Sequence, residues 1–289
     1  MKVAILGTSM PALVAAKAVT DFDPTAELVL YGIKQKPRAV GARWYETPIP
    51  GLQDVESSLM NVESAGDPDT YIEKVGGPVS DYLRARASFT AFNYHGTNSR
   101  LWEEFERNII QLEPDQDLIN DSSWSDCNYV FNTVPRPIFF PRSQHHMFGA
   151  TRHWRLDEEL NSDKPFAMPA VAGATTKNLM IFDGTKDSSW FRITQAFDLI
   201  SVEWGFHKKP PIAGAYVEIL PLGVPKEAEL PKIERAWRGT TALAHLGAVA
   251  QWRPSTDVAE VYSQAKHVLE GVWETKKDSN DDDDRRGYL

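Results

Sequence analysis

The residues best suited to chemistry come first in the chain: the turn GTSMPA, Gly7 to Ala12, lies between an apolar strand signal and an apolar helix signal. The run Val3-Ala4-Ile5-Leu6 reads as a buried strand, and Leu13, Val14, Ala16, Ala18 and Val19 recur at helical spacing. A strand, a tight turn and a helix in this order can seat a diphosphate, because bare backbone approaches the phosphates and the helix N-terminal amides meet their charge. The pattern for that seat is G-x-G-x-x-G/A, and here Gly7 and Ala12 remain of it. Ser9 stands in place of the middle glycine and brings a hydroxyl that can donate to a phosphate oxygen; Met10 and Pro11 complete the turn. Pro11 falls in the first helical turn, where its missing N–H costs little. Two other readings exist, an ordinary strand-to-helix turn of a parallel sheet and the G-x-S-x-G elbow of serine hydrolases. The elbow needs glycine where Pro11 stands and more sheet ahead of it, so it is set aside.

Other side chains carry chemistry further along. Arg192, within an apolar strand signal, suits a bidentate grip on a substrate carboxylate or phosphate, with a salt bridge as the alternative. His145 and His146 follow a proline-rich stretch, and either suits the role of base or hydrogen-bond donor. Adjacent histidines are poor co-ligands, so no metal site is expected even with His153 nearby. His95 is a further candidate, set against a capping or packing role.

The elements that must position these groups alternate. Glu27 to Tyr31 makes a second strand that completes a first βαβ crossover, with Tyr31-Gly32 where an acidic residue usually meets a ribose. Residues 33–57, rich in glycine and proline, read mainly as loop. Leu101, Trp102, Phe105, Ile109 and Ile110 predict one apolar face of a helix over 98–110. A third strand, 128–134, is stopped by Pro135-Arg136-Pro137, which puts Thr133 at a strand's carboxyl end, where open α/β sheets bind ligands. Residues 178–182, 191–193 and 199–204 read as strands separated by turns and predict an antiparallel layer. Ala242 to Leu246 leads through Gly247-Ala248 to a helix near 256–272.

Composition narrows the class. The net charge of −9 owes five carboxylates to the stretch DSNDDDD, 278–284, so the rest is only mildly acidic. That excludes a generic nucleic-acid coat while leaving room for a local basic group at Lys34, Lys36, Arg38 and Arg43. Cys127 is the only cysteine, which rules out an intrachain disulfide and predicts a small buried filler. No apolar run approaches the roughly 20 residues of a membrane span and no signal-type leader is apparent, so a soluble, cytoplasmic protein is expected.

In order and spacing, four segments resemble the flavin-dependent amine oxidase and UDP-galactopyranose mutase superfamily, and most closely small FAD-binding oxidoreductases encoded by bacteriophages: GTSMPA with its helix, RAVGARWYETPIPG (38–51), NYVFNTVPRP (128–137) and LGAVAQWRPSTDVAEVYSQA (246–265). The resemblance implies an α/β fold: a Rossmann-like FAD-binding domain (1–43, 98–136 and 236–273) with an inserted, mainly antiparallel β-sheet substrate domain (44–97 and 137–235) and a disordered acidic tail at 274–289. It implies that Gly41, Ala42 and Arg43 meet the phosphates or flavin, that Thr133 and Pro135 return beside the adenosine or diphosphate, and that Tyr31 marks the ribose end. It further implies that Gly247, Ala248, Gln251 and Trp252 lie over the flavin ring, with a helix N-terminus stabilising its reduced form.

Where such relatives commonly have G-R, this chain has Gly247-Ala248. The implied chemistry is oxidation or cleavage of a carbon–nitrogen bond, with Trp44, Tyr45, Trp190, Phe191 and Trp204 forming a dry wall that favours a neutral amine. Some phage relatives act in thymine hypermodification. The implied substrate is therefore a small amine or a base-linked amino acid such as glycine, with modified DNA as a partner and no membrane. A sugar-nucleotide mutase type of flavin enzyme and a cofactor-free binding protein on the same fold are the alternatives.

Overall fold

The computed structural model describes residues 1–36, 41–75, 88–112, 124, 126–135, 148–155, 178–205, 216–221, 242–251 and 257–271. Their strands fall into two sheets. The first is wholly parallel, in the order β13-β7-β1-β2-β6, from β1 (Lys2–Leu6), β2 (Glu27–Gly32), β6 (Ile109–Gln111), β7 (Tyr129–Asn132) and β13 (Ala242–His245). Strand alternation sends Val3 and Ile5 to one face and Ala4 and Leu6 to the other, and both faces are covered, as a parallel sheet requires. Helix α1 (Met10–Phe22), rich in alanine, lies on the first face with α3 (Tyr94–Phe105) and the last described helix, α5 (Val258–Leu269). Trp124, Cys127 and Val130 close the second face around Ala4, Leu6 and Tyr31. Cys127 is the buried filler expected, and burial pushes its thiol up from the ordinary value.

The second sheet has the order β12-β8-β11-β10-β9-β4-β5-β3, from β3 (Trp44–Tyr45), β4 (Ser57–Gly66), β5 (Ser88–Asn93), β8 (Phe148–Arg155), β9 (Leu179–Gly184), β10 (Arg192–Ala196), β11 (Leu199–Gly205) and β12 (Tyr216–Pro221). Its β4–β9 pairing is parallel and the other pairings are antiparallel. The architecture is thus an α/β molecule with a Rossmann-like sheet and a mainly antiparallel second sheet. Helix α2 (Pro68–Val75) closes one end of that sheet, with Tyr71 edge-on to Phe182 and Phe191. Its Lys74, 7% exposed, donates to Asp183 (carbonyl and carboxylate), the Ser188 hydroxyl and the Trp190 carbonyl.

Two expectations are corrected. The helix predicted over 98–110 runs Tyr94–Phe105, capped by Asn93, whose side chain accepts from the Gly96 amide at 2.9 Å. Ile109 and Ile110 belong to a strand instead, because β-branched residues extend readily and the edge of β2 is free to receive them. The dry wall is also largely core: Tyr45, Phe191 and Trp204 are buried, leaving Trp44 and Trp190 half-buried.

Candidate functional site

In the parallel sheet the chain passes from β1 to β2 and β6 on one side, and β7 and β13 lie on the other, so the order reverses between β1 and β7. A crevice at the carboxyl ends of the strands on either side of such a reversal is where open α/β sheets take ligands. Gly7 forms its floor. It has φ +119°, and a Cβ there would sit 2.3 Å from Thr133 Oγ1. The Gly7 amide donates to the Tyr31 carbonyl at 2.8 Å, and Thr133 donates its hydroxyl to the Leu6 carbonyl at 2.7 Å. These bonds tie the three central strand ends together and leave no space for a side chain at Gly7.

Helix α1 begins directly above. Ser9 occupies the N-cap position in extended backbone, is exposed, and its hydroxyl makes no capping bond. The first amide bonded along the helix is that of Leu13, to the Ser9 carbonyl at 3.1 Å. Pro11 has no N–H, so Met10 and Ala12 present the N-terminal amides. Gly247, φ +82°, ends β13 against this turn, and a Cβ there would lie 3.4 Å from Pro11 Cβ. Gly7, Ser9, Met10, Pro11, Ala12, Thr133 and Gly247 therefore converge, with half-buried Pro135 just past the end of β7.

Two assignments at this end are corrected, those of Tyr31 and Gln251. The Tyr31 ring is 7% exposed and stands edge-on to Trp124, 5.5 Å between centroids, so it is core and only its carbonyl reaches the turn. Beside it Gly32 lies close under Thr8, whose Cγ2 would be 2.8 Å from a Cβ there. Gln251 turns inward, donating to the His245 carbonyl (3.0 Å) and the Gln264 carboxamide (3.1 Å), and thereby closes the loop after β13. Ala248 opens α4 (Ala248–Gln251) directly after Gly247.

The segment joining the two sheets passes the α3 N-terminus. Gly41, φ +77° and buried, presents its carbonyl 2.7 Å from His95 Nε2; a carbonyl only accepts, so this nitrogen carries the proton and donates. Ala42 is buried in the core of the second sheet, and Arg43 lies over the Tyr94 ring at 5.8 Å. Tyr45 and Thr97 then share a 2.9 Å hydroxyl bond that fixes β3 to α3.

Trp44 and Arg192 are brought together, with the guanidinium 5.8 Å from the Trp44 ring centroid. The expected carboxylate grip of Arg192 is nonetheless corrected. Its Nε and one terminal nitrogen each donate at 2.7 Å to Glu203, a carboxylate 3% exposed, so the fork is filled by the protein itself. His145, His146 and Trp252 lie outside the described residues. Sequence reasoning passed over Asn132, whose amide nitrogen meets His245 Nδ1 at 2.9 Å on the crevice rim, and Asn98, buried on α3. A lone asparagine has no sequence signature; only the strand register placing Asn132 opposite His245 reveals the pair.

No protein-family model and no curated protein matches the chain in sequence. Solved structures do match in fold. One is 2,6-dihydroxypyridine-3-hydroxylase from Arthrobacter nicotinovorans, with TM-score 0.53 and 13% identity over 93% of this chain and 83% of that one. BrvH, a flavin-dependent halogenase from Brevundimonas sp. BAL3, matches at TM-score 0.51 and 10% identity over 94% and 72%. MibH, a tryptophan 5-halogenase, matches at TM-score 0.52 and 10% identity over 93% of this chain, which spans 66% of that protein's length. The fold is thus one shared with a pyridine hydroxylase and with halogenases, one of them flavin-dependent. At these identities the likeness is one of fold. Among the described residues no helix is long and apolar enough to cross a membrane.

Proposed function

We propose that the chain holds FAD across the crevice between β1 and β7 and is a flavin-dependent oxidoreductase acting on an organic substrate beside Trp44. The observation that carries this is the Gly7 floor: side-chain-free backbone under the exposed Ser9 hydroxyl and the amides of Met10 and Ala12. Such donors suit a diphosphate. The ribose end is less typical, since no carboxylate follows β2. When bound, FAD supplies a two-electron acceptor that no side chain here can provide. The protein's part is to seat the diphosphate, fix the turn at 41–43 and present a half-buried aromatic surface from which water is partly excluded.

Within that reading the substrate carries an oxidisable carbon–nitrogen bond: a small amine, or an amino acid such as glycine borne on a modified thymine of phage DNA. The order of the four segments supports it. A second reading, oxygen-dependent hydroxylation or halogenation, is favoured by the fold shared with the hydroxylase and the halogenases. Anaerobic mixing separates the two. Bleaching of the flavin by amine or glycine-adducted oligonucleotide alone supports carbon–nitrogen oxidation. Bleaching only after a reduced nicotinamide or reduced flavin is added supports the second reading.

A further inference from the structure

We infer that Thr8, packed over Gly32, removes the ribose check from the dinucleotide seat, so that the crevice takes ribonucleoside and 2′-deoxyribonucleoside diphosphates alike. This rests on the diphosphate seat of the FAD reading. In a βαβ dinucleotide site a carboxylate at the end of the second strand accepts from the ribose hydroxyls, and its charge makes that bond selective. No acidic residue occurs from Tyr31 to Lys36 in this chain. The geometry explains why a carboxylate has no place at the end of β2. Tyr31 is committed to the core against Trp124. Gly32 lies outside the left-handed region, so its backbone tolerates a side chain, but a Cβ there would be 2.8 Å from Thr8 Cγ2 and 3.1 Å from Thr8 Oγ1. Space, and not conformation, keeps this position bare.

Thr8 is itself held in place. Its hydroxyl donates to the Ile33 carbonyl at 3.0 Å, which bridges the turn after β1 to the chain leaving β2. The backbone around it is bonded within the protein as well: the Gly7 amide donates to the Tyr31 carbonyl, the Leu112 amide to the Gly32 carbonyl at 3.0 Å, and the Lys34 amide to the Gln111 carboxamide oxygen at 2.6 Å. What this end offers a ribose is therefore the oxygen of a half-buried threonine whose proton is already given to Ile33, beside the exposed side chains of Ile33 and Lys34. A neutral oxygen makes a single ordinary hydrogen bond, whereas a carboxylate grips the 2′ and 3′ hydroxyls together with the help of its charge. Loss of the 2′-hydroxyl then costs the complex little.

The test titrates the cofactor-stripped protein, by calorimetry, with ADP, with 2′-deoxy-ADP and with FAD. Wild type is expected to bind ADP and 2′-deoxy-ADP with affinities within about threefold of each other. Thr8→Ala/Gly32→Glu, which clears the space and supplies the missing carboxylate, is expected to prefer ADP by at least about tenfold. Wild-type protein that prefers ADP by more than this threefold margin overturns the inference, and that result needs no variant to fold. A double variant that unfolds at the wild-type thermal midpoint yet discriminates no better than wild type overturns it too, because Thr8 is then not what sets the selectivity. Protein that binds ADP and 2′-deoxy-ADP alike but takes up no FAD supports this inference and overturns the FAD reading; protein that binds none of the three overturns both.

Discussion

Gly7 shows how one residue can be legible in sequence for a reason visible only in three dimensions. Its place after a strand marked the turn, but the force of the constraint is Thr133, 126 residues later, whose hydroxyl would be 2.3 Å from a Cβ. Gly7→Ala adds that clash to an unfavourable φ of +119°, and about 1–3 kcal/mol of stability should be lost. Urea unfolding measures the loss, and flavin titration should show uptake falling with it; an unchanged midpoint would contradict the geometry. Arg192 teaches the converse. Its residue type and strand setting fitted a ligand grip, yet nothing local could show that Glu203 lies opposite in register. Arg192→Met strands a buried carboxylate and should cost about 3–5 kcal/mol, most of it recovered in Arg192→Met/Glu203→Leu. A double variant as unstable as the single one would show that the pair is not the reason.

At the scale of elements, strongly patterned segments were readable and polar or edge strands were not. β1, β2 and α1 announce themselves by apolar period, whereas β4 alternates too few apolar residues and is held by its neighbours β5 and β9. Ile109 and Ile110 fit a helical face as well as a strand, and the choice was made by the vacant edge of β2. The second sheet also carries polar groups without partners: Thr194 (0% exposed) and Ser201 (1% exposed) face each other across β10 and β11 with both hydroxyls unbonded. Thr194→Val keeps the shape and should raise stability by about 1 kcal/mol, read as a higher urea midpoint; a fall would mean the hydroxyl is satisfied. The junction of α2 with β9 gives a pH dependence. Burial pushes the Asp183 carboxyl up, but hydrogen bonds from Ser188 and Thr185 and the Lys74 ammonium outweigh it and hold it below the ordinary range. Its contribution is present above the unfolded value near 3.9 and is lost as pH falls through the lower folded value. Wild type should thus exceed Asp183→Asn in stability at pH 6, with the gap narrowing below about pH 4; a gap constant across unfolding curves from pH 3 to 6 would contradict this.

Across the whole molecule, the separation of the parallel from the antiparallel layer was legible because the two textures of sequence differ: an apolar run buried on both faces at the beginning, short turn-bounded strands further along. The site was legible in part. Its glycines and small residues occur at recognisable spacings, while the contacts around it, His95 to Gly41 and Asn132 to His245, join segments far apart and are visible only through register and helix placement. The account as a whole requires that the first and last described strands, β1 and β13, belong to one sheet whose crevice takes an adenine–flavin dinucleotide. The most direct measurement is titration of purified, cofactor-stripped protein with FAD, followed by heat release and identification of what stays bound. The account predicts saturable uptake of one FAD per chain, with Gly7→Ala taking up much less. A colourless protein that binds no FAD, or one whose uptake is indifferent to Gly7→Ala, would contradict it.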